Sequence, residues 1–151
     1  MRVVAIIQAR IGSSRLNGKV LKPLGESSVL EYLIARLSKS STIDEIIVAT
    51  STEEKDNEIY NLFKDTDLSV FRGSEDDVLS RYIGAAKETK ADVIVRITGD
   101  CPFVDPDLVD DCVNKLINSN LDYVSNCNNL ENPLPDGFDV EAFTMKSFLL
   151  L

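Results

Sequence analysis

Residues 9 to 22 read Ala9-Arg10-Ile11-Gly12-Ser13-Ser14-Arg15-Leu16-Asn17-Gly18-Lys19-Val20-Leu21-Lys22, a run that mixes cations, hydroxyls and glycines directly after an apolar stretch. Arg10, Arg15, Lys19 and Lys22 bring positive charge, and Ser13 and Ser14 bring hydroxyl donors. Gly12 and Gly18 let backbone N–H groups approach a ligand closely. Such a set suits a polyphosphate. Arg2, Arg10, Arg15, Lys19 and Lys22 are the only charged residues before Glu26, whereas the whole chain carries a formal net charge of -9. A basic segment in an acidic chain is a local anion site rather than a nucleic-acid surface.

A second chemical centre follows the apolar run from Asp92 to Ile97, in Thr98-Gly99-Asp100-Cys101-Pro102. A carboxylate just past a buried strand, beside a glycine and before a Cys-Pro turn, is placed to hold Mg²⁺ (magnesium), which takes one or two carboxylates plus phosphate oxygens. Asp100 is therefore the candidate metal ligand, against the competing reading of a turn aspartate bonded to its own backbone. Asp105, followed by Pro106, reads instead as a helix N-cap with proline at the first helical position.

Composition narrows the chemistry. Histidine is absent, which excludes a Ser-His-Asp triad, an H-E-x-x-H zinc site and an imidazole base from this chain. Cys101, Cys112 and Cys127 are odd in number and lack C-x-x-C spacing, so they read as reduced thiols rather than as a disulfide framework or zinc site. No apolar run is long enough to span a membrane and the N-terminus lacks the build of a signal peptide, so the expected location is the cytoplasm.

Spacing excludes two phosphate-loop types. A Walker A loop has four residues between its glycines and Ser/Thr after the lysine, whereas Gly12 and Gly18 enclose five and Val20 follows Lys19. The dinucleotide fingerprint fails because Ser14 stands where its second glycine belongs.

Ala9-Arg10, Ser13-Ser14-Arg15-Leu16-Asn17-Gly18-Lys19 and Lys22-Pro23-Leu24 do resemble the opening of the cytidylyltransferases that activate acidic sugars, and most of all their spore-coat polysaccharide branch. That branch is related to the enzymes that make CMP-3-deoxy-manno-octulosonate and CMP-sialic acid. Asn17 departs from the family's usual proline, which implies a looser turn. Arg72-Gly73-Ser74-Glu75-Asp76-Asp77-Val78-Leu79-Ser80-Arg81-Tyr82 is similar to the family's second signature, near the base and ribose, and Gly137-Phe138-Asp139-Val140-Glu141-Ala142-Phe143 is similar to a third.

The resemblance implies CTP and a sugar or sugar acid as partners, with Arg10, Arg15 and Lys19 on the triphosphate and Asp100 on Mg²⁺ as the catalytic set. Ala9, Gly12 and Ser13 complete the nucleotide cradle, and Arg72 and Ser74 are further nucleotide contacts, each with local capping as its alternative. Asp139 and Glu141 stay divided between the polar face of an edge strand and a role near substrate hydroxyls or the metal. Two other functions remain open, a sugar-1-phosphate nucleotidyltransferase using another nucleotide and a non-catalytic nucleotide-binding protein.

Alternating strand and helix patterns position these residues. Strands are expected at Val3 to Ile7, Glu45 to Thr50, Leu68 to Phe71, Asp92 to Ile97, Asp122 to Asn126 and Gly137 to Phe143. Ser28 with Glu31 forms a capping-box pattern for a helix ending near Ser40, Ser51-Thr52 opens a second, Ser74 with Asp77 caps a third, and Asp105 a fourth. Cys127 to Asp136 reads as a lid or substrate loop, and Thr144 as the cap of a last helix.

The expected fold is a three-layer α/β/α sandwich on a mostly parallel sheet, for which the resemblance implies the Rossmann-like, glycosyltransferase-A-like nucleotidyltransferase architecture. Residues 1–151 read as a single domain, and the apolar Leu149-Leu150-Leu151 reads as a truncated C-terminus. Family members continue further, into elements that carry another metal-binding aspartate and help form a homodimer.

Overall fold

The computed structural model describes residues 1–12, 16–127 and 134–149. Val3–Gln8 forms β1, whose run of β-branched and small apolar residues is buried on both faces. That is possible because β1 lies between two parallel partners, β4 (Glu45–Ser51) and β6 (Val93–Thr98). β5 (Ser69–Gly73) pairs with β4 in the same sense. β8 (Glu141–Thr144) joins β6 antiparallel, and β7 (Tyr123–Ser125) closes the far edge beside β8. Among the described residues the sheet order is β5-β4-β1-β6-β8-β7, with a small separate ladder of β2 (Pro23–Leu24) and β3 (Ser27–Ser28).

Alternate side chains of the sheet build two cores. Val3, Ala5 and Ile7 face α1 (Val29–Leu37), α2 (Asn57–Phe63) and α4 (Pro106–Asn118). Val4 and Ile6 face α3 (Val78–Glu88) and α5 (Met145–Phe148). The three-layer α/β/α architecture is therefore present.

Several caps follow the sequence pattern. Ser28 Oγ accepts from the Glu31 amide at 3.2 Å while the Glu31 carboxylate accepts from the Ser28 amide at 2.8 Å, the reciprocal capping box of α1. Asp105 caps α4 by accepting from the Asp107 amide at 2.9 Å, and Thr144 caps α5.

Four local expectations are corrected. α1 ends at Leu37 rather than near Ser40. The second helix does not open at Ser51-Thr52, because the Ser51 hydroxyl is engaged by Asp56; a 3-10 turn at Glu54–Asp56 comes first, and α2 starts at Asn57. Asp77, not Ser74, is the N-cap of α3, accepting from the Ser80 amide at 2.8 Å, while Ser74 Oγ accepts from the Asp77 amide one turn earlier. The strand expected over Gly137 to Phe143 is ordered as β8 only from Glu141, and it is interior rather than at the edge. Asn126 explains the late start: its amide nitrogen donates to Phe138 O and its amide oxygen accepts from Val140 N, both at 2.8 Å, so a side chain takes backbone groups that a ladder would use.

Candidate active site

In a parallel sheet, the loops that leave the carboxyl ends of the strands share one edge, and there the described part of the basic loop meets Asp100. Gln8 is in register with Ala49 on one side and Thr98 on the other, so the loops after β1, β4 and β6 leave side by side. Ala9 is buried and its amide donates to Ala49 O at 3.2 Å. The Gly18 amide donates to Ile11 O at 2.9 Å, which closes the basic loop on itself, and Gly18 takes a left-handed φ of 66° that favours glycine. A 3-10 turn at Lys19–Leu21 follows and buries Val20 beneath the loop. Ser13, Ser14 and Arg15 lie outside the described residues.

Gly99 fastens the second centre to the first. Its amide donates to Gln8 O at 2.8 Å, and a Cβ built on it would lie 2.8 Å from that same oxygen, so no larger residue fits. Asp100 is thereby held beside the start of the basic loop. Its carboxylate pairs with the Lys19 ammonium from 81 residues away in the chain, and the two side chains are 35% and 28% exposed. Burial raises the Asp100 pKa, but the Lys19 ammonium and local hydrogen bonds outweigh it and hold the carboxyl below its ordinary value. Asp100 thus stands ionised and reachable, a suitable state for a cation ligand.

A wall that sequence reasoning missed supports the loop from the β4 side. Asp56 is fully buried and accepts from the Ile11 amide at 2.7 Å and from the Ser51 hydroxyl. Its neighbour Lys55 reaches Glu75 Oε1 at 2.5 Å, and Arg10 Nη1 lies 4.0 Å from the same oxygen. The visible signal was a carboxylate in the loop after a buried strand, the context that singled out Asp100.

Arg72 is committed to its own scaffold, with Nε donating to Ser51 O at 2.9 Å, Nη2 to Glu53 O at 3.1 Å, and the guanidinium 5.5 Å over the Tyr60 ring. Ser74 is likewise held in the turn before α3, and its carbonyl accepts from the buried Arg81.

Asp139 and Glu141 part company. Asp139 is exposed and close enough to Cys101, next to Asp100, to contribute with burial and Asp100 to raising that thiol's pKa. Glu141 pairs with Arg96 and accepts from the Tyr123 hydroxyl at 2.7 Å. Arg96 was also missed, although a cation inside Val93-Ile94-Val95-Arg96-Ile97 demands a partner.

Residues 4–132 match the sequence pattern of the cytidylyltransferase family. The chain belongs to that family. The spore coat polysaccharide biosynthesis protein SpsF of Bacillus subtilis is 41% identical over 125 residues, which cover 80% of this chain and 52% of that protein. The solved structure of a cytidylyltransferase from Leptospira borgpetersenii is 36% identical and superposes with a TM-score of 0.91 over 99% of this chain and 63% of its own. A synthetase of CMP and 2-keto-3-deoxy-manno-octonic acid, solved in complex with CTP, shares the fold at a TM-score of 0.73 and 16% identity, over 99% of this chain and 76% of its own. The chain spans about half the length of the curated relatives it matches. No helix among the described residues is long and apolar enough to cross a membrane.

Among the described residues no group of three or more Asp, Glu, Cys or His side chains is gathered as a metal cage. Magnesium takes one or two carboxylates, with phosphate oxygens and water completing its shell, and Asp100 is an accessible carboxylate of that kind.

Proposed function

We propose that the chain carries the nucleotide half of a cytidylyltransferase that transfers CMP from CTP to a sugar or sugar acid for surface polysaccharide synthesis. An acceptor oxygen attacks the α-phosphorus of CTP, the bond from that phosphorus to the β-phosphate bridging oxygen breaks, and pyrophosphate leaves. The Lys19–Asp100 pair carries this reading, because it joins the basic loop to an accessible carboxylate that can take a phosphate-bound cation.

Arg10, Lys19 and Arg15 serve the triphosphate, with Ala9, Gly12 and Ser13 providing backbone around it. Such transfers depend on positioning and charge neutralisation rather than on a covalent intermediate. Asp100 would hold Mg²⁺, which when bound neutralises phosphate charge as the leaving group departs. Lys19, at the end of the loop, would stabilise the departing pyrophosphate. Asp139, exposed and near enough to Cys101 to act on its pKa, is assigned to the acceptor side. Relatives' names support the substrate classes: spore coat polysaccharide for SpsF, and a CTP complex for the octonic acid synthetase.

Pyrophosphate release from CTP, Mg²⁺ and a panel of sugar acids that includes 3-deoxy-manno-octulosonate tests the proposal. Release with CTP in preference to ATP, GTP and UTP is expected. Release only with another nucleotide and a sugar 1-phosphate would contradict it.

A further inference from the structure

Three strand-end loops are locked together at one side of the basic loop. Asp56 fixes the Ile11 amide, the Thr52 amide donates to Gly73 O at 2.9 Å, and Arg81 holds the carbonyls of Ser74 and Glu75. This lattice fixes the backbone from which Lys55 and Glu75 project. Lys55 Nζ would lie 3.0 Å from a Cβ built on Gly12, and Glu75 Oε1 would lie 3.4 Å from it. The space a side chain would fill at Gly12 is therefore walled by one cation and one anion, and Arg10 Nη1 lies 4.0 Å from the same Glu75 oxygen. Lys55 and Arg10 are both close to half exposed, so each can reach a ligand in the loop.

We infer that Lys55 is a further nucleotide-binding residue, contacting the phosphates of the nucleoside triphosphate, and that the Glu75 carboxylate competes for the same cations when no nucleotide is bound. The inference rests on the proposal that residues 9–22 bind a nucleoside triphosphate. Its physical basis is substitution of one anion by another. A carboxylate oxygen 2.5 Å from one cation and 4.0 Å from a second occupies the kind of place that a phosphate oxygen takes, and its Lys55 contact is of the charge-assisted type a phosphate would make. Glu75 is a single charge and CTP carries several, so the cations gain by exchanging partners.

An ordinary inter-loop ion pair and a phosphate contact give opposite patterns. If Lys55 and Glu75 merely brace one another, removing either partner weakens nucleotide binding through the same loosened loop. If Lys55 binds phosphate and Glu75 competes, the two substitutions act in opposite directions.

Calorimetric titration of the unsubstituted chain, Lys55→Ala and Glu75→Gln with CTP and, separately, with cytidine separates these cases, with thermal unfolding checking that each variant folds. Lys55→Ala should weaken CTP binding about tenfold, Glu75→Gln should tighten it about threefold, and neither should change cytidine binding. Weakening by both variants, no change in Lys55→Ala, or an equal loss for cytidine would overturn the assignment while leaving the nucleotide reading in place. Failure of the unsubstituted chain to bind CTP would overturn the nucleotide reading and this inference with it.

Discussion

Two ion pairs sit on strand β6 and its continuation, only a few residues apart, and they do different work. Arg96 and Glu141 face one another in register on neighbouring strands, with the Tyr123 hydroxyl as a third partner. They border a groove of about 610 Å³ whose wall is mainly apolar, including Tyr82, Phe143 and Phe148. Lys19 and Asp100 come instead from loops 81 residues apart that meet only because β1 and β6 are parallel neighbours. The first pair satisfies a charge within the sheet, as cross-strand pairs do. The second holds a carboxylate and an ammonium together at the edge where parallel sheets bind ligands. Similar chemistry thus serves the sheet in one place and the proposed nucleotide site in the other, and the backbone position decides which.

Substitutions should separate the two pairs. Asp100→Asn is expected to lower pyrophosphate release from CTP by about 10²–10³-fold, and Lys19→Ala by about 10²-fold, through lost electrostatic stabilisation. Urea unfolding midpoints should move little in either; a large loss of stability with retained turnover would make this pair structural like the other. Asp56→Ala should cost about 3 kcal/mol in the same unfolding experiment, because it leaves the buried Ile11 amide and Ser51 hydroxyl without an acceptor. It should also raise KM for CTP, which distinguishes support of the loop from support of the sheet.

Asp110, on α4, provides a reference carboxylate that belongs to neither pair. Burial would raise its pKa, but donors from Ser40, Ser41 and Thr42, including the Ser41 amide at 2.9 Å and the Thr42 amide at 3.1 Å, hold the carboxyl well below the usual range. A carboxyl lowered in the folded state adds stability in full above its unfolded value, near pH 3.9, and loses it as pH falls toward the folded value. Asp110→Asn should cost about 1–2 kcal/mol at neutral pH and flatten the acid limb of stability against pH, without altering turnover at pH 7. An unchanged acid limb would remove Asp110 as a stabilising group. The smallest effect is expected of Glu141→Gln, about 1 kcal/mol in urea unfolding for a partly exposed pair, with turnover kept within an order of magnitude.

The strand and helix order was legible because β1, β4 and β6 are apolar runs and because Ser28, Asp105 and Thr144 are capping residues at the right offsets. The basic loop and Asp100 were legible by charge and by their place after strands. Lys55, Asp56 and Arg96 were not singled out, since each acts through a partner distant in sequence: Glu75, Ile11 and Glu141. The late start of β8 was hidden for the same reason, as Asn126 intercepts the backbone of residues 138 and 140 from another segment. Local pattern predicts elements well and tertiary hydrogen bonding poorly, and Ser74, displaced as a cap by Asp77, shows how a choice between two adjacent capping residues is settled by the turn between them. The expected Cys127 to Asp136 lid includes residues 128–133, which lie outside the described residues.

We propose that the loop after β1 and Asp100 form one nucleotide and metal site. Calorimetric titration of the chain and of Asp100→Asn with CTP, each with and without Mg²⁺, tests it most directly. Selective CTP binding that Mg²⁺ strengthens in the unsubstituted chain, and no longer strengthens in Asp100→Asn, is the predicted result. Binding that Mg²⁺ strengthens equally in both, or no binding of CTP, would contradict it.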